Sequence, residues 1–561
     1  MLRNRLPDEV SSYPDPKLGI NLRKSPEDLL PEEAYLLKNC FYDAGVRKRF
    51  GSQRFSTPSL GTYAGVGGIK FYYGQSSQAR LIAFDTNIGQ VSDAGVFTTL
   101  TSTMTSGQPT FFTPWSIQER CYISNGADSL RYFDGSSVST LTGTNIPASP
   151  TMVKAFADRL FAIQNGVVVV SDPRVDNVFS DPTSSWSAYQ PSVSGGDVVA
   201  ISVHSQTGSL GDPGQSLLLY QQSALTALAG TDFGSNVTAA SPPTGWDATL
   251  TVLDTAIGTA SPKSICTVPG LGTFWFTQGR NIAWLPLGES QPRLIGDVLF
   301  TYRNDVDAIN TIDGARLADV WMVYHDRKLK LGLPIGGNPY VTTQYWLDLR
   351  PLYENLGAIL HGNAEEGMAV PWSGPHTAQP ISAVWTETEQ GDTDRLMGLE
   401  GKSANGCYVY ELNPTQVFTE DISTTSSNEY LYDEQTFFNT AGAPGWQKQL
   451  SKLLLDCRGY IQFASVTVSD LHATLTSPLT ILQLNGASFT GEYYGNGLNY
   501  GTGVFYGARN ANNLGQVDFT ERSLVQPIGD ALSVRIQAPI REFTSQRVVS
   551  HMKINKATHV E

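Results

Sequence analysis

No run of roughly 18 apolar residues, the length that a membrane-crossing helix needs, occurs anywhere in the 561 residues. The opening stretch MLRNRLPDEV carries charge and no apolar h-region, so a secretory signal peptide is not expected. Cysteine is scarce: Cys40, Cys121, Cys266, Cys407 and Cys457 lie far apart with no CxxC pair. The thiols are therefore expected to be reduced and structural, in a protein made in cytoplasm. Seven histidines offer no HExxH and, with the cysteines, no zinc-finger spacing; GxSxG is also missing. MGLEGKS at 397–403 fails as a phosphate loop, because Leu396 stands where that motif needs glycine. GNGLNYG at 495–501 has the wrong glycine spacing for a dinucleotide loop and no βαβ context.

Glycosidic hydrolysis would need two carboxylates held around a sugar. Asp305, Asp307 and Asp313 are candidates by type, but they sit in no repeat, and the S-x-D-x-G-x-x-W box is absent. They lack EF-hand spacing as well. No catalytic role, cofactor or metal is therefore expected.

What is present is β-type texture. Charged residues are only 16 %, while 53 Gly, 31 Pro, 24 Tyr and 24 Phe favour short strands joined by turns. The length suggests two or three domains. From about residue 65 a unit repeats: a polar-charged lead into an apolar strand, as QARLIAF, QERCYIS and ADRLFAI. Arg80, Arg120 and Arg159 mark a period of 40 and then 39 residues. Asn125-Gly126, Asp134-Gly135 and Asn165-Gly166 supply hairpin turns. A period near 40 is the mark of a β-propeller, each four-stranded sheet being one unit. Later hairpins at 215–230, 271–288, 318–334 and 394–412 are more loosely spaced. The expectation is an all-β chain: an irregular propeller of about six to eight blades over 61–413, with a linker over 414–449. A β-sandwich follows over 450–561, with the Leu-rich stretch after 447 read as strand and RVVSHMKI as a last strand.

Residues 1–60 read as an arm with a short helix over 25–39, where Ser25 can cap, Pro26 suits the first helical position and Asn39 can stop it. Arg47, Lys48, Arg49 and Arg54 form the densest basic cluster of a chain whose net charge is −14. Through Arg54 the net is +2, so the remainder carries −16. A body that acidic repels phosphate backbones. The cluster is thus either a protein-facing or solvated patch or, less in keeping with the charge, a nucleic-acid contact. Tyr493, Tyr494, Tyr500, Phe505 and Tyr506 crowd among Gly and Asn over 491–513. They can fill a hairpin core or contact a partner or a glycan.

GINLRKSPEDLLPEEAYLLKNCFYDAGVRKRFGSQRF resembles the opening of β-propeller proteins of tailed-phage virions, through Pro31, Glu33, Ala34, Leu37, Asn39, Gly45, Arg47, Arg49 and Gly51. Ala157–Trp186 resembles a blade of that group, and KQLSKLLLDCRGYIQFASVTVSD the start of its C-terminal β domain. Phe50 departs from the pattern, where proline is often found. The resemblance implies a short-tail nozzle, hub or stabilisation protein, located in the virion tail. It would form a six-fold homo-oligomeric ring beneath portal and adaptor and meet tail fibres or spikes. DNA would pass through the lumen without sequence-specific binding. The arm's Arg47, Lys48, Arg49 and Arg54 would then serve assembly. A receptor- or glycan-binding tail protein, or a depolymerase, is the alternative.

Overall fold

Successive four-stranded antiparallel meanders occupy most of the chain. A computed structural model describes residues 8–56, 59–60, 65–73, 77–192, 194–205, 215–230, 232–301, 307–336, 340–355, 370–388, 394–401, 407–414, 419–421, 427–429, 432–438, 447–459, 465–470, 479–483, 514–519, 528–529, 532–538 and 543–555.

Blade 1 runs Gly65–Tyr73, Ser77–Phe84, Asn87–Val91, Phe97–Thr101. Blade 2 is Phe111–Trp115, Arg120–Ser124, Arg131–Phe133, Val138–Thr140. Val153–Phe156, Arg159–Gln164, Val167–Val170 and Ala188–Tyr189 make blade 3. Blade 4 consists of Ala200–Ser205, Gln215–Tyr220, Leu225–Ala229 and Thr249–Asp254. Cys266–Val268, Gly272–Phe276, Ile282–Pro286 and Arg293–Leu294 follow as blade 5. In blade 6, Trp321–His325, Lys328–Leu333 and Val341–Asp348 are joined by the first part of the long strand Trp372–Thr388. The second part of that strand pairs from Ile381 onward with Asp394–Glu400 and so starts blade 7. Val409–Leu412 continues it, and Ser52–Arg54, from the N-terminal region, is its outermost strand.

The ring closes. Each blade's first strand touches the first strands of its neighbours, and Trp372–Thr388 returns to Gly65–Tyr73. Each sheet is therefore buried on both faces, which explains why middle strands such as Gly272–Phe276 and Ile282–Pro286 are buried at every position rather than at alternate ones. Separate apolar clusters fill the wedges. Leu81, Phe112 and Phe133 lie between blades 1 and 2, and Trp115, Leu160 and Phe179 between blades 2 and 3. Trp321, Ile381 and Tyr410 join blades 6 and 7; Ile82, Trp385 and Val409 seal blade 7 to blade 1. Among the described residues the strands form a β-propeller of seven blades.

The expected turns form where the chemistry allows positive φ. Asn165 and Gly166 sit at φ 51° and 77°, as a tight hairpin requires. Ala157-Asp158 and Asp326-Arg327 make the same kind of turn without glycine, at φ 47° and 55° and at φ 50° and 56°.

The helix expected over 25–39 does not form. Only Pro26–Asp28 makes a 3-10 turn, and Glu33–Ala34 and Leu36–Lys38 are strands. The Ser25 hydroxyl donates to the Asp28 carboxylate at 2.7 Å and gives no backbone cap. Glu33 collects Asn21 Nδ2 at 2.9 Å, Lys24 Nζ at 3.1 Å and the Leu30 amide at 2.7 Å. Leu36–Lys38 is taken up between strands, Leu37 lying opposite Gly374 and Glu434 with its side chain fully buried. Sheet pairing at long range outweighs a local helix preference worth only tenths of a kcal/mol per residue.

Beyond the propeller, Gln447–Gly459 is a strand, paired with Leu514–Phe519 and Phe543–Asn555. Phe543–Asn555 also pairs with Asp8–Tyr13 and Val46–Lys48. A second set runs Leu36–Lys38, Tyr432–Gln435, Leu532–Ala538, Ser465–Asp470, Leu479–Gln483. Among the described residues no helix is long and apolar enough to cross a membrane.

Candidate functional site

The basic cluster lies in and beside a hairpin of Cys40–Tyr42 and Val46–Lys48. Its turn places Ala44 at φ 50° and Gly45 at φ 125°, a conformation that glycine adopts without steric cost. Arg47 points to the surface and donates to Asp43 Oδ2 at 3.0 Å. Asp43 Oδ1 accepts from Arg350 Nη1 at 2.6 Å, and Arg350 also grips Asp348 through Nε at 2.9 Å. Against the upward push of partial burial, the Arg350 and Arg47 guanidiniums hold the Asp43 carboxyl below its ordinary range. The Asp348 hydrogen bonds in turn raise Arg350.

Lys48 and Arg49 are each only 4 % exposed. The Arg49 amide donates to the Asn39 carbonyl at 3.0 Å, while its Nε reaches Asn39 Oδ1 at 3.2 Å and its Nη1 the Phe50 carbonyl at 2.9 Å. Asn39 has φ 58°, a conformation asparagine tolerates better than most residues. Behind Arg49 lies a buried polar set on blade 6. Lys330 Nζ sits 3.1 Å from His325 Nδ1 and 4.6 Å from the centre of the Trp346 ring. His376 packs 4.5 Å from the same indole, with its Nε2 3.2 Å from Ser373 Oγ. Burial drives His376 well below its ordinary value, and the Arg49 and Lys330 charges push the same way. Burial likewise holds His325 down at about 3, with Lys330 adding to it, and carries Lys330 well below the usual ammonium value.

Arg54 belongs to the closing strand. It pairs with Tyr410, and its guanidinium lies 4.2 Å above the Tyr408 ring. A cleft of about 290 Å³ beside the hairpin is lined by Phe41, Tyr42, Trp346, Lys328 and Arg350, among others. Two of its cations are already engaged. Lys328 binds Asp326 at 3.0 Å and lies over Phe41 at 4.7 Å, and Arg350 is held by Asp43 and Asp348. The arrangement is a joint between the N-terminal region and blade 6.

The repeated arginines also turn inward. At the seam between blades 1 and 7, Arg80 meets Glu387 through two hydrogen bonds of 2.6 and 2.7 Å, and both side chains are buried. Trp385 Nε1 donates to the same carboxylate at 2.8 Å. Arg120 pairs with Asp176 and covers the Tyr132 ring at 4.2 Å. Arg159 Nη1 donates to the Ser171 carbonyl at 3.0 Å.

Other sequence candidates scatter. Asp313 accepts from the Ala315 amide at 3.0 Å as the cap of a 3-10 turn. Asp307 offers its carbonyl to Tyr345 Oη. Asp305 and the aromatic group Tyr493, Tyr494, Tyr500, Phe505 and Tyr506 lie outside the described residues. Cys40, Cys121, Cys266 and Cys407 are free and buried, and burial pushes Cys266 and Cys407 up to about 12. Thiols held protonated in this way are poor nucleophiles. Among the described residues, no three His, Cys, Asp or Glu side chains converge as a metal site. Sequence reading missed Arg350 and Glu387, whose partners Asp43 and Arg80 each lie 307 residues away, and Lys330, which meets His325 only five residues before it; the repeated arginine at Arg80 was the one available signal.

No family model matches the chain, and no curated protein matches it. Among solved structures it is similar to BBS1N in complex with ARL6DN, at 9 % identity and a TM-score of 0.39, over 65 % of this chain and 98 % of that one. YCF48 from Cyanidioschyzon merolae follows at 9 % identity and 0.35, over 65 % and 100 %. The WD40 β-propeller domain of Doa1 gives 9 % and 0.35, over 64 % and 97 %. Likenesses at that level leave the propeller assignment to the strand pairing itself.

Proposed function

We propose that this chain is a structural protein of a tailed-phage virion, a short-tail nozzle or hub whose copies form a six-fold ring extending the DNA-ejection channel below portal and adaptor. The observation that carries this reading is the use made of the residues behind the resemblance. Asn39, Gly45, Arg47 and Arg49 set a turn, an ion pair or a buried hydrogen bond at the joint of the N-terminal region with blade 6. These contacts are local to residues 39–50; they shape the hairpin whose Asp43 is tied to Arg350 beside blade 6, just ahead of the strand Ser52–Arg54 that closes the propeller.

The charge balance fits the same role. In a chain of net −14 carboxylates outnumber the lysines and arginines that would neutralise phosphates and release their counterions, so DNA in transit is held weakly in this reading. On the same reading Arg47, whose side chain is 42 % exposed beside Asp43, meets a neighbouring subunit or the adaptor. In this reading the two strand sets containing Gln447–Gly459 and Leu532–Ala538 face each other as the C-terminal sandwich and make lateral or distal contacts with fibres or spikes. The test is electron microscopy of the full chain assembled with portal and adaptor proteins. A coaxial six-fold ring with a continuous pore is expected. Solitary molecules that bind host-surface glycans tightly, or release reducing ends from them, would replace this reading with the receptor-binding one.

A further inference from the structure

We infer that His325, Lys330 and Asn413 form a proton-sensitive latch on the closing strand Ser52–Arg54, which acid opens ahead of the rest of the propeller. The latch belongs to a single chain and stands whatever that chain assembles into.

The turn Asp326-Arg327 folds Lys328–Leu333 back on Trp321–His325. Lys330 lies opposite Val323, two residues before His325, so strand alternation puts both basic side chains on one face. That face is buried, Lys330 being 2 % and His325 9 % exposed. The hydrogen bonds there fix which ring nitrogen holds the proton. His325 Nε2 is 2.9 Å from the Asp394 carbonyl, which can only accept, so Nε2 carries the hydrogen. Nδ1 of the neutral ring then has a lone pair, and Lys330 Nζ donates to it at 3.1 Å. Lys330 Nζ also donates to Asn413 Oδ1 at 3.0 Å, and Asn413 Nδ2 donates to the Phe50 carbonyl at 2.8 Å. The Asn413 amide adds a bond of 2.6 Å to the Gly51 carbonyl. Ser52 follows directly and pairs with Leu412. One line of hydrogen bonds thus runs from a ring nitrogen of blade 6 to the residues leading into the closing strand.

A proton on Nδ1 cuts this line at its root. It removes the acceptor that Lys330 uses and sets two cations 3.1 Å apart in a buried site. Arg49, Lys328 and His376 face the same cluster, and Asp326 is the carboxylate among the groups that act on it. His376 is fully buried, and its Nδ1 has no hydrogen-bond partner among the described residues, so a proton there would have nothing to share it. The closed form therefore refuses protons that an opened, hydrated ring takes near pH 6.5. The latch holds above about pH 6.5. Below it, each ring that is protonated only on opening raises the open population about tenfold per pH unit. For His325 this continues down to about 3, where the closed form titrates too.

Amide hydrogen exchange of the full chain between about pH 6.5 and 4.5, expressed as protection factors, tests this. In wild type, Ser52–Phe55 should be less protected throughout than Arg120–Ser124 of blade 2, and its protection should fall about tenfold or more per pH unit. His325→Gln keeps a donor for the Asp394 carbonyl and an acceptor for Lys330 but cannot titrate. It should remove about tenfold per pH unit from that slope. His204→Gln, where the ring meets Thr273 at the seam of blades 4 and 5, should leave the Ser52–Phe55 slope unchanged. Equal protection and slope in the two wild-type segments would mean that acid unfolds the chain as a whole, and would overturn the latch whether or not the variants fold. A slope that survives His325→Gln, or that His204→Gln lowers equally, would overturn it as well.

Discussion

At the scale of single residues, the chemistry of this chain is spent on internal pairing. Glu387 shows it most sharply, because its buried carboxylate holds Arg80, lies 3.8 Å from Lys70 and accepts from Trp385, while exposed Asp93 lies 3.3 Å from Arg80 on the other side. Removing one partner of such a pair strands the other charge, at a cost of about 3–5 kcal/mol. Glu387→Ala should therefore lower the urea unfolding free energy by about that amount, while Arg80→Met combined with Glu387→Leu should cost less than either truncation alone. A single truncation costing under about 1 kcal/mol would show that the seam is wetter than its burial indicates. Arg80 was visible beforehand as a repeating position. Its partner, 307 residues away, was not, because no local pattern encodes which carboxylate a closing ring will deliver.

At the scale of elements, the hairpins were largely readable and the N-terminal segment was not. Asn165-Gly166 forms the turn its residue types favour, since both tolerate positive φ. Gly272 is a stricter case, with φ 117° and a Cβ position occupied by the Leu285 carbonyl. Gly272→Ala should destabilise blade 5 by on the order of 1–3 kcal/mol, as strained backbone does, and amide exchange should be fastest at Gly272–Phe276. Residues 25–39 misled because their helix signals are local, while the strand pairing that recruits Leu37 comes from Gly374 and Glu434. The closing strand gives a second test. A chain starting at Leu60 leaves Val409–Leu412 as an open edge and takes Arg54 from Tyr408, so it should lose its cooperative melt and aggregate. Melting identical to that of the full chain would show that blade 7 closes without Ser52–Arg54.

For the whole molecule, acid should be the weak side. His204 is fully buried and burial holds it down at about 4; His325 is held at about 3, and His376 lower than its ordinary value by a wide margin. The unfolded chain protonates these rings near pH 6.5 and the folded one does not. Stability is thus full above about pH 6.5 and declines as pH falls toward 4, by about 1.4 kcal/mol per pH unit for each buried ring. The urea midpoint should drop steeply between pH 7 and 5, and His204→Gln should reduce that slope by about one proton. A flat profile over the same range would mean that the rings titrate in the folded state.

The periodic lead into apolar strands, the hairpin turns and the lack of a nucleophile-and-base pattern could all be read from the chain alone, because each depends on neighbours a few residues apart. Seven blades, the strand from residues 52–54 that locks the last of them, and the inward turn of Lys48 and Arg49 could not. Those follow from which edges meet when a meander bends into a circle, and contacts between positions 50 and 410 leave no trace in local spacing.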